Sequence, residues 1–81
     1  MKVHVQFFSR LRELAGVSEM EIDVPIATKV ADLLELLYAQ APALRDWDKS
    51  ILVAAGVEFV DRDYLLQPGD LISIMPPVQG G

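Results

Sequence analysis

An 81-residue chain with 12 acidic and 7 basic side chains, formal net charge −5, has room for one domain and the wrong sign of charge for a nucleic-acid backbone. It has no cysteine and one histidine, His4, which excludes disulfides, thiolate zinc sites, a catalytic thiol, a side-chain persulfide and a histidine metal cluster. Apolar residues make up 52%, yet no run approaches transmembrane length and Met1-Lys2-Val3-His4 lacks a secretory apolar region, so the expectation is a cytoplasmic protein with no membrane partner and with apolar surface reserved for another protein.

Residues 3–8 alternate, with Val3, Val5 and Phe7 on one face and His4, Gln6 and Phe8 on the other, which predicts a strand whose outer face ends on an aromatic ring. Ser9 is the expected N-cap of a short helical turn that points Leu11 and Leu14 inward and stops at Gly16. A second strand follows, in which Met20, Ile22 and Val24 alternate with Glu19, Glu21 and Asp23 before Pro25 closes it. One buried face and one solvated face suit an antiparallel edge or hairpin partner.

Thr28 is the expected N-cap of the main helix, where Val30, Leu33, Leu34, Leu37 and Ala41 make a single apolar stripe and Pro42 ends it. Asp32 and Glu35 lie off that stripe, on a solvated face. Trp47, between Asp46 and Asp48, is expected to cap the core beneath a loop. Residues 51–55 predict a third strand and 57–60 a shorter fourth. Gln67-Pro68-Gly69-Asp70 is a turn with Pro at its second and Gly at its third position, and it feeds a last strand over 71–75.

One well-formed helix among about five strands predicts an α+β fold with the helix packed across one face of a mixed sheet, the ubiquitin-like β-grasp plan. Ile72 and Ile74 would then face the helix, leaving Leu71, Ser73 and Met75 outside. If the first and last strands are neighbours, Phe8, Met75 and Phe59 form an exposed apolar patch beside the root of the C-terminal segment.

That segment, Pro76-Pro77-Val78-Gln79-Gly80-Gly81, combines two residues that fix φ with two that carry no side chain. The expected division is therefore a β-grasp domain over 1–75 and a flexible Gly-Gly tail over 76–81. Six extended residues reach about 20 Å. Such a thin tip can carry a terminal carboxylate through a narrow channel into another protein's active site, where a Cβ at position 80 or 81 would obstruct entry.

Val5-Gln6-Phe7-Phe8, Arg12-Glu13-Leu14 with Gly16, Pro68-Gly69-Asp70 and the closing Pro-Pro-Val-X-Gly-Gly together resemble, along nearly the whole chain, the small sulfur-carrier subunits of molybdopterin synthase, the MoaD family. Gly56 departs from the pattern, since many relatives have a polar residue such as Asn there, and this bears on the local turn. The resemblance implies that an adenylyltransferase related to ubiquitin-activating enzymes spends ATP to adenylate the Gly81 carboxylate. Sulfur passed on from a cysteine desulfurase then makes it a thiocarboxylate. It also implies that Pro76, Pro77, Val78, Gln79 and Gly80 enter the large catalytic subunit of a heterotetrameric synthase, and that Phe8, Phe59 and Met75 match its apolar interface. On this account the chain binds no cofactor and no metal, and is no enzyme by itself. It donates the sulfur while acid–base groups belong to the partner.

Two other carriers with the same ending remain open from the residues: one supplying sulfur for the thiamine thiazole, and a ubiquitin-like modifier of lysines. A β-grasp interaction domain with an inert tail is the rival from another class. A standalone enzyme would need a carboxylate pair, and pairs such as Asp61 and Asp63 fall in an expected turn without a base nearby.

Overall fold

The alternation at the start of the chain becomes strand β1, Lys2–Phe7, with Val3, Val5 and Phe7 buried and the residues between them facing outward. The computed structural model describes residues 1–77. After β1 come α1 (Arg10–Ala15), β2 (Glu19–Asp23), α2 (Val30–Gln40), a 3-10 helix (Pro42–Ser50), β3 (Leu52–Ala55), β4 (Glu58–Val60) and β5 (Leu71–Met75). The five strands form one sheet in the order β2-β1-β5-β3-β4. β1 and β5 run parallel in the middle, and every other pairing is antiparallel. The expected mixed sheet with one main helix is the fold.

Burial explains why the central pair holds. Val5 lies beside Ile72 and Phe7 beside Ile74 in the β1/β5 register, and all four are at most 3% exposed. The α2 stripe of Val30, Leu33, Leu34 and Leu37 is buried in the same core, with Tyr38, Leu11, Leu44, Ile51, Val53 and Leu66. Full burial of a side chain of this size is worth about 1.5–3 kcal/mol. Ala41 follows α2 as its C-terminal cap, half-buried, and Pro42 opens the next element.

Both expected caps are corrected in detail. Ser9 does precede α1, but at φ 52° and ψ −130° its side chain makes no capping bond. The turn is closed instead by backbone bonds from Leu11 N–H to Phe8 and from Arg12 N–H to Ser9. Thr28 is one residue early. Its hydroxyl donates to the Pro25 carbonyl at 2.7 Å, so Lys29 takes the cap position, with its N–H donating to the Asp32 carboxylate at 3.3 Å. The third and fourth strands each begin one residue later than expected, because Ile51 caps the 3-10 helix and Val57 sits in the hairpin loop. Gly56 has φ 61° in that loop, a conformation that L side chains rarely adopt. Gly16 (φ 80°) ends α1 as expected, and Gly69 (φ 79°) occupies the positive-φ place in the Pro68-Gly69 turn.

Residues 42–50 are a 3-10 helix rather than a loop, and Trp47 packs against the core from it. A polar staple fixes this element. The Tyr38 hydroxyl on α2 donates to the Asp48 carboxylate at 2.6 Å, and Arg62 donates to the same carboxylate at 3.0 Å and to the Asp48 carbonyl. Arg45 reaches Glu35 with two bonds of 2.8 and 3.3 Å and lies 5.0 Å above the Tyr38 ring. Burial, reinforced by the bond to Asp48, pushes the Tyr38 phenol above its ordinary range.

The bonds from Tyr38 and Arg62 hold the Asp48 carboxyl below the usual carboxylate range. A depressed folded-state pKa contributes stability that is complete above the unfolded value of about 3.9 and is lost as pH falls through the folded one. The expected result is that acid unfolding of Asp48→Asn depends less steeply on pH than that of the natural chain below about pH 4. Urea titrations at a series of pH values check this, and parallel curves would contradict it.

Candidate docking face and tail root

Two faces of the sheet follow from the register. The inner face meets α2. The outer face carries a row that crosses all five strands, Glu19, Gln6, Ser73, Ala54 and Phe59, each paired with the next. Residues in register project to the same side, so this row shares its face with Glu21, His4 and Leu71 in one direction and with Met75 and Leu52 in the other. Among the described residues no helix covers this side of Phe59 (70% exposed), Phe8 (41%), Leu71 (38%) or Leu52 (36%).

The face is graded in character. β2 supplies Glu19, Glu21 and Asp23, β1 supplies His4 and Gln6, and β5, β3 and β4 supply an apolar strip. His4 lies 3.7 Å from Glu19. Ser73 is buried within the strip, between Gln6 and Ala54.

Phe8 lies just beyond β1, and its N–H donates to the Ile74 carbonyl at 3.1 Å, which continues the parallel ladder by one step. This sets it beside Met75, the last residue of β5, which is half-buried. Because β1 and β5 run in the same direction, Phe8 and the chain leaving β5 are at one end of the sheet. Pro76 and Pro77 follow, half-buried and outside any strand. Phe59 is three strands away from Phe8, about 14 Å at ordinary strand spacing. Phe8 and Met75 are thus neighbours, whereas Phe59 stands at the far end of the strip with Leu52 and Ala54 between.

Leu52 had no place in the candidate patch read from sequence, although its alternation with Val53 carries the signal once β3 is known to lie beside β5. Leu71 was placed on the outer face but not in the site. Val78, Gln79 and Gly80, expected to enter a partner with Pro76 and Pro77, and Gly81, expected to carry the chemistry, lie outside the described residues. Elsewhere the remaining polar candidates have structural partners. Asp61 accepts the Asp63 N–H at 2.9 Å, and the Tyr64 hydroxyl donates to Asp70 at 3.0 Å, a bond that raises the phenol's pKa. Asp63 also lies 3.9 Å from Lys29. Among the described residues no helix is long and apolar enough to cross a membrane.

A family model described as the ThiS family matches residues 5–81. The human molybdopterin synthase sulfur carrier subunit is 35% identical over 83 residues, covering 99% of this chain and 94% of its own length. Among solved structures, the putative molybdopterin converting factor subunit 1 from Pyrococcus furiosus superposes with a TM-score of 0.87 at 34% identity, covering 96% of this chain and 99% of its own. A chain in the protein–protein complex of subunits 1 and 2 of molybdopterin-converting factor from Helicobacter pylori gives 0.74 at 27% identity, with full coverage of both chains.

Proposed function

This chain belongs to the ThiS family, and from that premise we propose that it is the sulfur carrier of molybdopterin synthase, donating sulfur from the carboxyl end of Gly81. The observation that carries the reading is the likeness over nearly full length to molybdopterin synthase sulfur carrier subunits. The geometry supports it, because the segment bearing Gly81 departs from the end of a central strand beside an uncovered apolar strip.

The chemistry follows from what a carboxylate lacks. It is a poor electrophile, so its oxygen is first joined to the α-phosphorus of ATP by an adenylyltransferase, with pyrophosphate leaving. A persulfide sulfur, drawn from a cysteine desulfurase, then attacks the acyl carbon and AMP departs, and a thiol cleaves the resulting acyl disulfide, carrying the outer sulfur away as a disulfide. The product is a thiocarboxylate whose soft, anionic sulfur sits on an unhindered stem. Pro76 to Gly80 pass into the large catalytic subunit, where the sulfur is given to a pterin precursor and acid–base groups are supplied by that subunit. The chain itself needs no bound cofactor, and ATP is consumed by the activating enzyme. The working place is the cytoplasm, where the partners meet.

Phe8, Met75 and Phe59, extended by Leu52, form the docking face in this reading. Leu52→Lys is expected to weaken binding to the large subunit about tenfold or more, roughly 1.4 kcal/mol, while leaving the melting temperature within a few degrees. Titration calorimetry against the large subunit checks it, and unchanged affinity would move the interface elsewhere.

The deciding experiment is an intact mass of the chain after incubation with ATP, the adenylyltransferase, the desulfurase and cysteine. A sulfur-for-oxygen gain at the C-terminus is the expected result. No gain with partners shown active on another carrier would overturn the reading.

A further inference from the structure

The two edges of the sheet differ in how they meet another strand. β2 carries Glu19, Glu21 and Asp23 at alternate positions on the outer face. Were two copies paired antiparallel about Glu21, that residue would face itself and Glu19 would face Asp23, so the edge repels its own kind. β4 has no such guard. In a hairpin with the two-residue loop Gly56-Val57, the flanking pair Ala55 and Glu58 exchanges the ladder bonds, and the next pair, Ala54 and Phe59, does not. The N–H and C=O of Phe59 therefore point away from β3. Among the described residues the Phe59 N–H makes no turn, loop or cap bond. Val57 is 100% exposed and Phe59 70%, so this edge offers apolar side chains as well as unpaired backbone.

The geometry points to a second copy of this chain as the occupant of the β4 edge, paired antiparallel about a two-fold axis at Phe59. The register supports that choice. Each Phe59 would give its N–H to the other's carbonyl, Glu58 would face Val60 of the second copy, and Val57 would face Asp61, so no carboxylate opposes a carboxylate. The two five-stranded sheets would join as one, with the Phe59 rings abutting on the outer face. Five residues a side bury well under the roughly 1,200 Å² of stable complexes, so the dimer is weak and reversible. The pairing stands on the edge geometry alone. Its consequence, that the dimer withholds Phe59 from the large subunit, rests on the sulfur-carrier reading.

Sedimentation equilibrium of the isolated full chain over a concentration series tests the pairing, together with amide hydrogen exchange at low and high concentration. The expected result is a monomer–dimer equilibrium in which exchange at the Phe59 amide slows as concentration rises. Each copy carries net charge −5, so raising salt from about 0.02 M to about 0.5 M should tighten the dimer several-fold by screening the repulsion. Phe59→Lys, which sets two ammonium groups across the axis, should raise the Kd at least tenfold, and Phe8→Ala, on the same face but away from the edge, should leave it unchanged. A single monomeric species throughout overturns the proposal. So does a dimer indifferent to Phe59→Lys, or one weakened equally by Phe8→Ala. No partner enzyme enters these measurements, so their failure is separate from failure of thiocarboxylate formation.

Discussion

Deletion of Gly80 and Gly81 is expected to abolish sulfur transfer while leaving the fold and the docking face in place. The deleted atoms include the carboxyl group that must be adenylated, so the predicted loss is complete rather than partial. The described core ends at Ile74 and loses nothing. The truncated chain should melt within about a degree or two of the intact one, as expected of a change that removes no residue of the described core. It should also still compete for the large subunit. Single-turnover sulfur transfer, paired with a melting curve and a competition assay, checks all three. Residual transfer by the truncated chain would show that Gly81 is not the site of chemistry, and an inert-tailed interaction domain would then account for the binding.

Ile72→Ala should produce the opposite pattern. Ile72 is 0% exposed in the central strand, beside Val5 on one side and Ala55 on the other. Truncating such a side chain costs about 2–5 kcal/mol, the lost transfer energy plus that of the cavity left behind. A domain of this size has about 5–15 kcal/mol in total. Chemical denaturation should show the midpoint falling by at least about an eighth, with transfer lost only in proportion to the unfolded fraction. A loss of transfer in molecules that remain folded would mean that β5 acts on the tail by some route other than anchoring it.

Much of this molecule is legible in the residues because its strands have one wet and one dry face. Alternation alone separates Val3, Val5 and Phe7 from His4 and Gln6, and Met20 and Ile22 from the β2 carboxylates. The helix stripe from Val30 to Leu37 is equally plain. What escaped lies where local signals compete. Thr28 has the chemistry of an N-cap but spends its hydroxyl on the Pro25 carbonyl, and the helix starts one residue on. The 3-10 segment from Pro42 to Ser50 is held by contacts of Tyr38, Asp48 and Arg62 that are 10 and 14 residues apart, which no window of sequence displays. Leu52 joins the exposed apolar strip only through its pairing with Met75, and the sheet order that creates this pair is a tertiary fact. The expectation for the tail is of a different kind, resting on residue types and on the family likeness rather than on packing, and its last four residues lie outside the described ones.

β5 is the last strand made and a middle strand of the sheet, bonded to parallel β1 on one side and antiparallel β3 on the other. Any pull on the stem beyond Met75 acts along the strand. Two ladders must then slide at once instead of parting bond by bond, so the load is shared in shear. The body is thus built to stay folded when its C-terminal end is loaded.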